Sequence, residues 1–309
     1  MLKRNFVVIL MLSLALLTGC TTSHSHKNKD QSTQPINPSE ITFKKNKEFA
    51  FLTGMTSIKT PPLVNHYDTI VVDATKLNKN QIATLHLYAT HVYGYLDVGH
   101  VKAKSKAYKA NKSSTRGYVD NSKTYYKMAI TKSWRQYLYK KARKQIKRGI
   151  DGIVLDHYDI FNGKPKTYKK LFKVVKYMHK KNMPVYLMND KMFITEYINN
   201  GDQVIETKNK DKKDDDKEKE ENEPLPYISG IIQENVFTTI DPSTFKTKKQ
   251  SSSVSSHYKK YLEFCQAHDI KPYIIEYTKN SDWKAVIKAY CKSHDITYYI
   301  STSLTHNEE

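Results

Sequence analysis

From Glu48 onward the chain alternates two kinds of stretch: short runs of β-branched and aromatic residues, and longer runs whose apolar positions recur every three or four residues. The first kind predicts strands and the second helices, because side chains alternate faces in a strand and return to one face every 3.6 residues in a helix. Strands are predicted at 49–53, 68–73, 91–98, 151–156, 184–188, 229–236, 272–276 and 296–301, and helices around 134–147, 168–181, 257–268 and 282–293. Eight strands with interposed helices predict a single α/β domain, a closed (β/α)8 barrel of the TIM type. An open doubly wound sheet would need a glycine-rich phosphate turn after its first strand, and Thr53-Gly54-Met55-Thr56 is not one.

Three stretches depart from this alternation. Lys3 and Arg4 precede an apolar run over 6–17, too short for the roughly 18–20 residues of a membrane span. Leu17-Thr18-Gly19-Cys20 resembles a bacterial lipobox. It predicts a signal peptide over 1–19, cleavage before Cys20, acylation of its sulfur and anchoring to the extracytoplasmic face of the cell membrane. Residues 20–45 are polar with Pro35 and Pro38, and read as a flexible tether in which His24 and His26 are solvated. Residues 208–223 contain no apolar side chain and read as a solvated insertion between the fifth and sixth units of a barrel spanning 46–303.

Composition adds little to the fold but bears on partners. The 309 residues carry 51 Lys+Arg against 31 Asp+Glu, a net charge of +20, and 39% are hydrophobic, enough for a sizeable core. The basic residues are spread along the chain, which fits attraction to an anionic cell surface and not a nucleic-acid partner. Three cysteines make no disulfide framework, and Cys265 and Cys291 on consecutive outer helices are expected to be buried, inert thiols. The domain is expected to act as a monomer, with no cofactor and no metal.

Two strands carry a shared pattern with chemical content. Gly152-Ile153-Val154-Leu155-Asp156 and Gly230-Ile231-Ile232-Gln233-Glu234 both run from glycine to an acid four residues on. Residues two apart share a strand face, so Gly152, Val154 and Asp156 align, as do Gly230, Ile232 and Glu234. As the fourth and sixth strands they belong to the alternate set that fills one interior layer. That places the two carboxylates across the C-terminal mouth. A retaining glycosidase needs such a pair, about 5–5.5 Å apart, as nucleophile and acid/base. A single strand-end acid more often caps a helix or pairs with a lysine; a matched pair shifts the balance to catalysis.

The runs Tyr93-Gly94-Tyr95-Leu96-Asp97-Val98-Gly99, Gly149-Ile150-Asp151-Gly152-Ile153-Val154-Leu155-Asp156, Gly230-Ile231-Ile232-Gln233-Glu234-Asn235-Val236-Phe237 and Ile274-Ile275-Glu276-Tyr277 resemble the endo-α-1,4-polygalactosaminidase-like glycoside hydrolases. The resemblance implies a (β/α)8 barrel and retaining hydrolysis of an α-linked galactosaminyl polysaccharide. It assigns catalysis to Asp156 and Glu234, read here as nucleophile and acid/base respectively. His100 stands where the family commonly has an acid, and His157 where it usually has Asn; both bear on substrate choice. Asp73, Asp97, His100, His157, Asn189, Glu276 and Tyr277 at the strand ends are expected to contact sugar. Tyr95, Tyr158 and Phe237 could stack on a sugar face, although packing is the better reading of Tyr95, and Trp134 belongs to helix–barrel packing. Two other functions stay open. One is a non-catalytic lipoprotein that binds surface polysaccharide. The other is a metal-dependent barrel phosphodiesterase using Asp97, His100, Asp156, His157 and Asp159, against which stands the expectation that His157 points away from Asp156 in an extended strand.

Overall fold

A computed structural model describes residues 45–58, 65–157, 165–200, 227–241, 244 and 246–302. Eight parallel strands form one sheet: β1 (Lys45–Phe51), β2 (Asn65–Val72), β3 (Ala89–Asp97), β4 (Gly152–Asp156), β5 (Val185–Met188), β6 (Gly230–Glu234), β7 (Lys271–Tyr277) and β8 (Thr297–Ser301). They pair in chain order, and Phe49 of β1 meets Tyr299 of β8 with ring centroids 6.3 Å apart, so the sheet curls into a nearly closed barrel. This is the predicted (β/α)8 architecture. The signal peptide, Cys20, the tether with His24 and His26, the insertion at 208–223, Tyr158 and Asp159 lie outside the described residues.

The expected outer helices are present at Lys132–Ile146, Pro165–His179, Ser252–Gln266 and Ser281–Ser293, each starting earlier than the apolar pattern suggested. Their first turns are polar. Thr131, Ser251 and Asn280 accept the backbone N–H three residues on and so fix three of these starts. Among the described residues three α-helices went unpredicted, Lys79–Leu85, Lys106–Ala110 and Lys191–Asn200. Cys265 and Cys291 are buried in the core between barrel and helices, and burial pushes the Cys265 thiol up to about 12, as expected of inert thiols. Among the described residues no helix is long and apolar enough to cross a membrane.

The barrel interior is layered. Phe49, Tyr93, Tyr186 and Tyr273, from the odd-numbered strands, touch ring to ring with centroids 5.0–5.3 Å apart. Glycines on the even strands make room for them: a Cβ on Gly152 would sit 2.6 Å from the Tyr93 ring, and one on Gly230 2.4 Å from both Tyr186 and the Lys271 carbonyl. Above this floor Val154 and Ile232 face the same interior cluster. By alternation Asp156 and Glu234, two residues further on, point into the mouth.

Between β3 and the helix Lys132–Ile146 the chain makes an unpredicted three-stranded antiparallel sheet of His100–Lys102, Thr115–Tyr118 and Tyr125–Met128. Its strands are only three and four residues long, too short for a period to show.

Candidate active site

Asp156 ends β4, is 5% exposed, and is held from two sides: the Tyr95 hydroxyl donates to Oδ2 at 2.6 Å and the His157 backbone N–H to Oδ1 at 2.6 Å. Burial raises its carboxyl from 3.8 to about 6, opposed by His157 and by the Tyr95 hydrogen bond. Glu234 ends β6 and is half-buried. Asn189 clasps it from the end of β5, donating from Nδ2 to Oε2 at 2.7 Å and accepting the Glu234 N–H at 2.9 Å, while the Tyr277 hydroxyl donates to Oε1. Burial and the carboxylates beside them hold both Tyr95 and Tyr277 well above the usual phenol range, so each remains a donor.

Both carboxylates open on a cleft of about 700 Å³. Asp73, Asp97, His100 and His157 also line it. Asp73 accepts from the Thr75 hydroxyl at 2.6 Å and lies 3.7 Å from the Lys76 ammonium. Glu234, but not Asp156, also borders a second cleft of about 530 Å³ with Asn189, Lys191 and His257.

Three expectations change. Glu276 does not reach the mouth. It follows Ile275 and precedes Tyr277, both in the interior cluster, so alternation turns it outward; there it is fully buried and accepts from Phe237 N, Thr238 N and Thr238 Oγ1. Phe237 lies against Tyr290 and lines neither cleft. His157 does not point away from Asp156. Its φ of 62° breaks the extended path, bringing Nε2 within 3.6 Å of Asp156 and Nδ1 within 3.1 Å of Asp97. The His100 ring lies tilted against it, with centroids 3.9 Å apart. Asp97, His100 and His157 thus offer ligand atoms within 4.8 Å of one another, a set that could hold a divalent ion.

Trp134 packs as expected, 1% exposed with its indole N–H on the Val98 carbonyl at 2.7 Å. Tyr95 does more than pack. Besides meeting the Phe51 ring edge-on it orients Asp156, a role readable from its sharing a face of β3 with Asp97, whose register partner on the neighbouring strand is Asp156.

The family model of glycoside-hydrolase family GH114 matches residues 30–308. No curated protein matches the chain by sequence. Among solved structures, the glycoside hydrolase domain of PelA from Pseudomonas aeruginosa is similar at 15% identity and a TM-score of 0.62, over 85% of this chain and 96% of that one. Aspergillus fumigatus Ega3, in complex with galactosamine, is similar at 13% identity and a TM-score of 0.58, over 86% of this chain and 93% of that one. At these identities the two structures speak to the fold, and the family match covers nearly the whole described domain. The chain belongs to glycoside-hydrolase family GH114 and is a glycoside hydrolase.

Proposed function

We propose that the protein hydrolyses an α-linked galactosamine-type polysaccharide with retention of configuration, outside the cell, held to the membrane by lipid on Cys20. The observation that carries the catalytic part is a register-matched carboxylate pair on one cleft, each member held by a tyrosine hydroxyl. Family membership and the Ega3 complex with galactosamine support the substrate class.

Burial and access support the roles. Asp156 is the more enclosed of the two and suits the nucleophile that must meet one carbon. It attacks the anomeric carbon as the glycosidic C–O bond breaks, and Glu234 gives its proton to the departing oxygen. Glu234 then takes a proton from water, the water oxygen bonds to the anomeric carbon, and Asp156 leaves as carboxylate. Two inversions amount to retention. Glu234 is more open and also faces the second cleft, where a leaving chain and then water can reach it. Asp97, His100 and His157 crowd the nucleophile's side and are placed to bind sugar hydroxyls.

Release of reducing ends from an α-1,4-linked galactosamine polymer tests the reading. The first product seen by NMR is expected to be the α anomer, and kcat/KM is expected to fall about tenfold per pH unit below about 6, because Asp156 is protonated there. A β anomer as first product rules out retention. Tight binding with no reducing ends makes the protein a carbohydrate-binding lipoprotein instead. The Asp97–His100–His157 group favours the metal reading; complete loss of activity on chelation, restored by a divalent ion, would establish it in place of the two-carboxylate mechanism. For the anchor, Cys20→Ala is expected to move the protein from the membrane fraction to the medium, and retention at the membrane excludes a lipid on Cys20.

A further inference from the structure

His100 and His157, the two departures from the family's pattern, both turn toward Asp97. His157 Nδ1 lies 3.1 Å from Asp97 Oδ1, and His100 Nδ1 lies 3.8 Å from Asp97 Oδ2. One ion pair would account for one imidazole beside that carboxylate, but not for two whose ring centroids are 3.9 Å apart. A shared cation accounts for both. Ligand bonds of about 2.0–2.1 Å at a tetrahedral ion place neighbouring donor atoms about 3.3 Å apart, a value that the two separations bracket.

The set is built before any ion arrives. Asp97 closes β3, and its Oδ1 accepts the backbone N–H groups of Gly99 at 3.1 Å and His100 at 2.8 Å, which fixes the carboxylate. His157 follows β4 on a left-handed backbone, and the register pairs Asp97 with Asp156, so the two strand ends lie side by side. The three side chains are 24% (Asp97), 11% (His100) and 33% (His157) exposed, sheltered yet open to the cleft that all three line. Asp156 Oδ2 lies 3.6 Å from Nε2, the other ring nitrogen of His157. A carboxylate behind a ligating imidazole is the usual arrangement around a bound ion, because it fixes the ring and its tautomer.

We infer that Asp97, His100 and His157 form a site for a divalent cation of the zinc class, and that the ion inhibits the hydrolase by competing with sugar. Two imidazoles and one carboxylate suit zinc, nickel or copper; magnesium and calcium prefer all-oxygen sites. The ion stands among the side chains placed to bind sugar hydroxyls, on the nucleophile's side of the cleft. Glu234 is held elsewhere, by Asn189 and Tyr277. The ion therefore blocks the cleft and supplies no step of the reaction. The inhibition rests on the glycoside hydrolase reading of the cleft; the site itself does not.

Calorimetric titration of the full chain with zinc chloride and with magnesium chloride reads the site. Zinc is expected to bind and magnesium not, and His100→Gln and His157→Asn are each expected to weaken zinc binding about 100-fold or more. Asparagine tolerates the left-handed backbone at 157, and thermal melts check that both variants fold. On an α-1,4-linked galactosamine polymer, zinc at about ten times its Kd is expected to raise KM about tenfold with kcat little changed, and excess chelator to restore the metal-free rate. Each variant, compared with its own metal-free rate, is expected to escape the inhibition.

Zinc binding that survives both substitutions, or magnesium bound as tightly, overturns the site. Zinc bound there without effect on KM overturns the inhibition, as does a rate that rises with zinc or is lost on chelation. If zinc binds through these residues but no polymer is cleaved with or without it, the site stands and the hydrolase reading falls. If the polymer is cleaved and zinc does not bind, the hydrolase reading stands and the site falls.

Discussion

Asp156→Asn is expected to lower hydrolysis by roughly 10⁴-fold or more, and Glu234→Gln by about 10²–10⁴-fold, with the barrel intact in both. The first change removes the atom that would bond to the anomeric carbon; the second keeps the shape of the side chain but removes the proton it transfers. Stability measured alongside separates chemistry from folding, and its sign is fixed by burial. The Asp156 carboxyl rises from 3.8 to about 6 on folding, so its contribution to stability is full below pH 4 and is lost as pH rises through 6. Asparagine carries no such loss. The variant should therefore gain stability relative to the native protein from pH 4 to pH 7, by about 3 kcal/mol less the weakened Tyr95 and His157 hydrogen bonds. Full activity in either variant removes that residue from the mechanism.

Glu276→Ala is expected to cost about 3–5 kcal/mol of stability, roughly 10 °C in Tm for a domain of this size. The buried carboxyl group receives the N–H groups of Phe237 and Thr238 and the Thr238 hydroxyl, and alanine leaves all three without it. These donors sit three and four residues after Glu234, so the same change should loosen the loop that follows this proposed acid/base and reduce activity as well. Burial pushes the Glu276 carboxyl from 4.5 to about 7, so its stabilising contribution is complete below pH 4.5 and fades as pH climbs through 7. Glu276→Gln should keep part of the hydrogen bonding and remove this dependence. Thermal melts from pH 4 to pH 8 read both effects; an alanine variant with unchanged Tm would mean that the loop finds other acceptors.

Glu276 also marks where the sequence was legible and where it was not. The strands and the Gly-x-x-x-acid pair could be read because two-residue alternation propagates along a strand without help from the rest of the molecule. The same rule shows that Glu276 and Tyr277 cannot both face the mouth, and the interior positions of Ile275 and Tyr277 decide between them. His157 was misplaced for the opposite reason: alternation was carried one residue past the end of β4, onto a left-handed backbone that reverses the side chain's direction. The helix Lys79–Leu85 is short, and its capping box of Asn78 and Gln81 is built from polar residues that an apolar search passes over. The inserted sheet was illegible because tertiary contact holds it. Tyr126 stacks between Tyr108, at 4.7 Å, and Tyr118, at 4.2 Å, contacts between separate elements that no periodicity within one strand reveals.

The aromatic floor of Phe49, Tyr93, Tyr186 and Tyr273 turns the barrel from a tube into a bowl. With four rings shutting the axis below Asp156 and Glu234, nothing can thread the barrel, so whatever reaches the two carboxylates must enter and leave over the same rim.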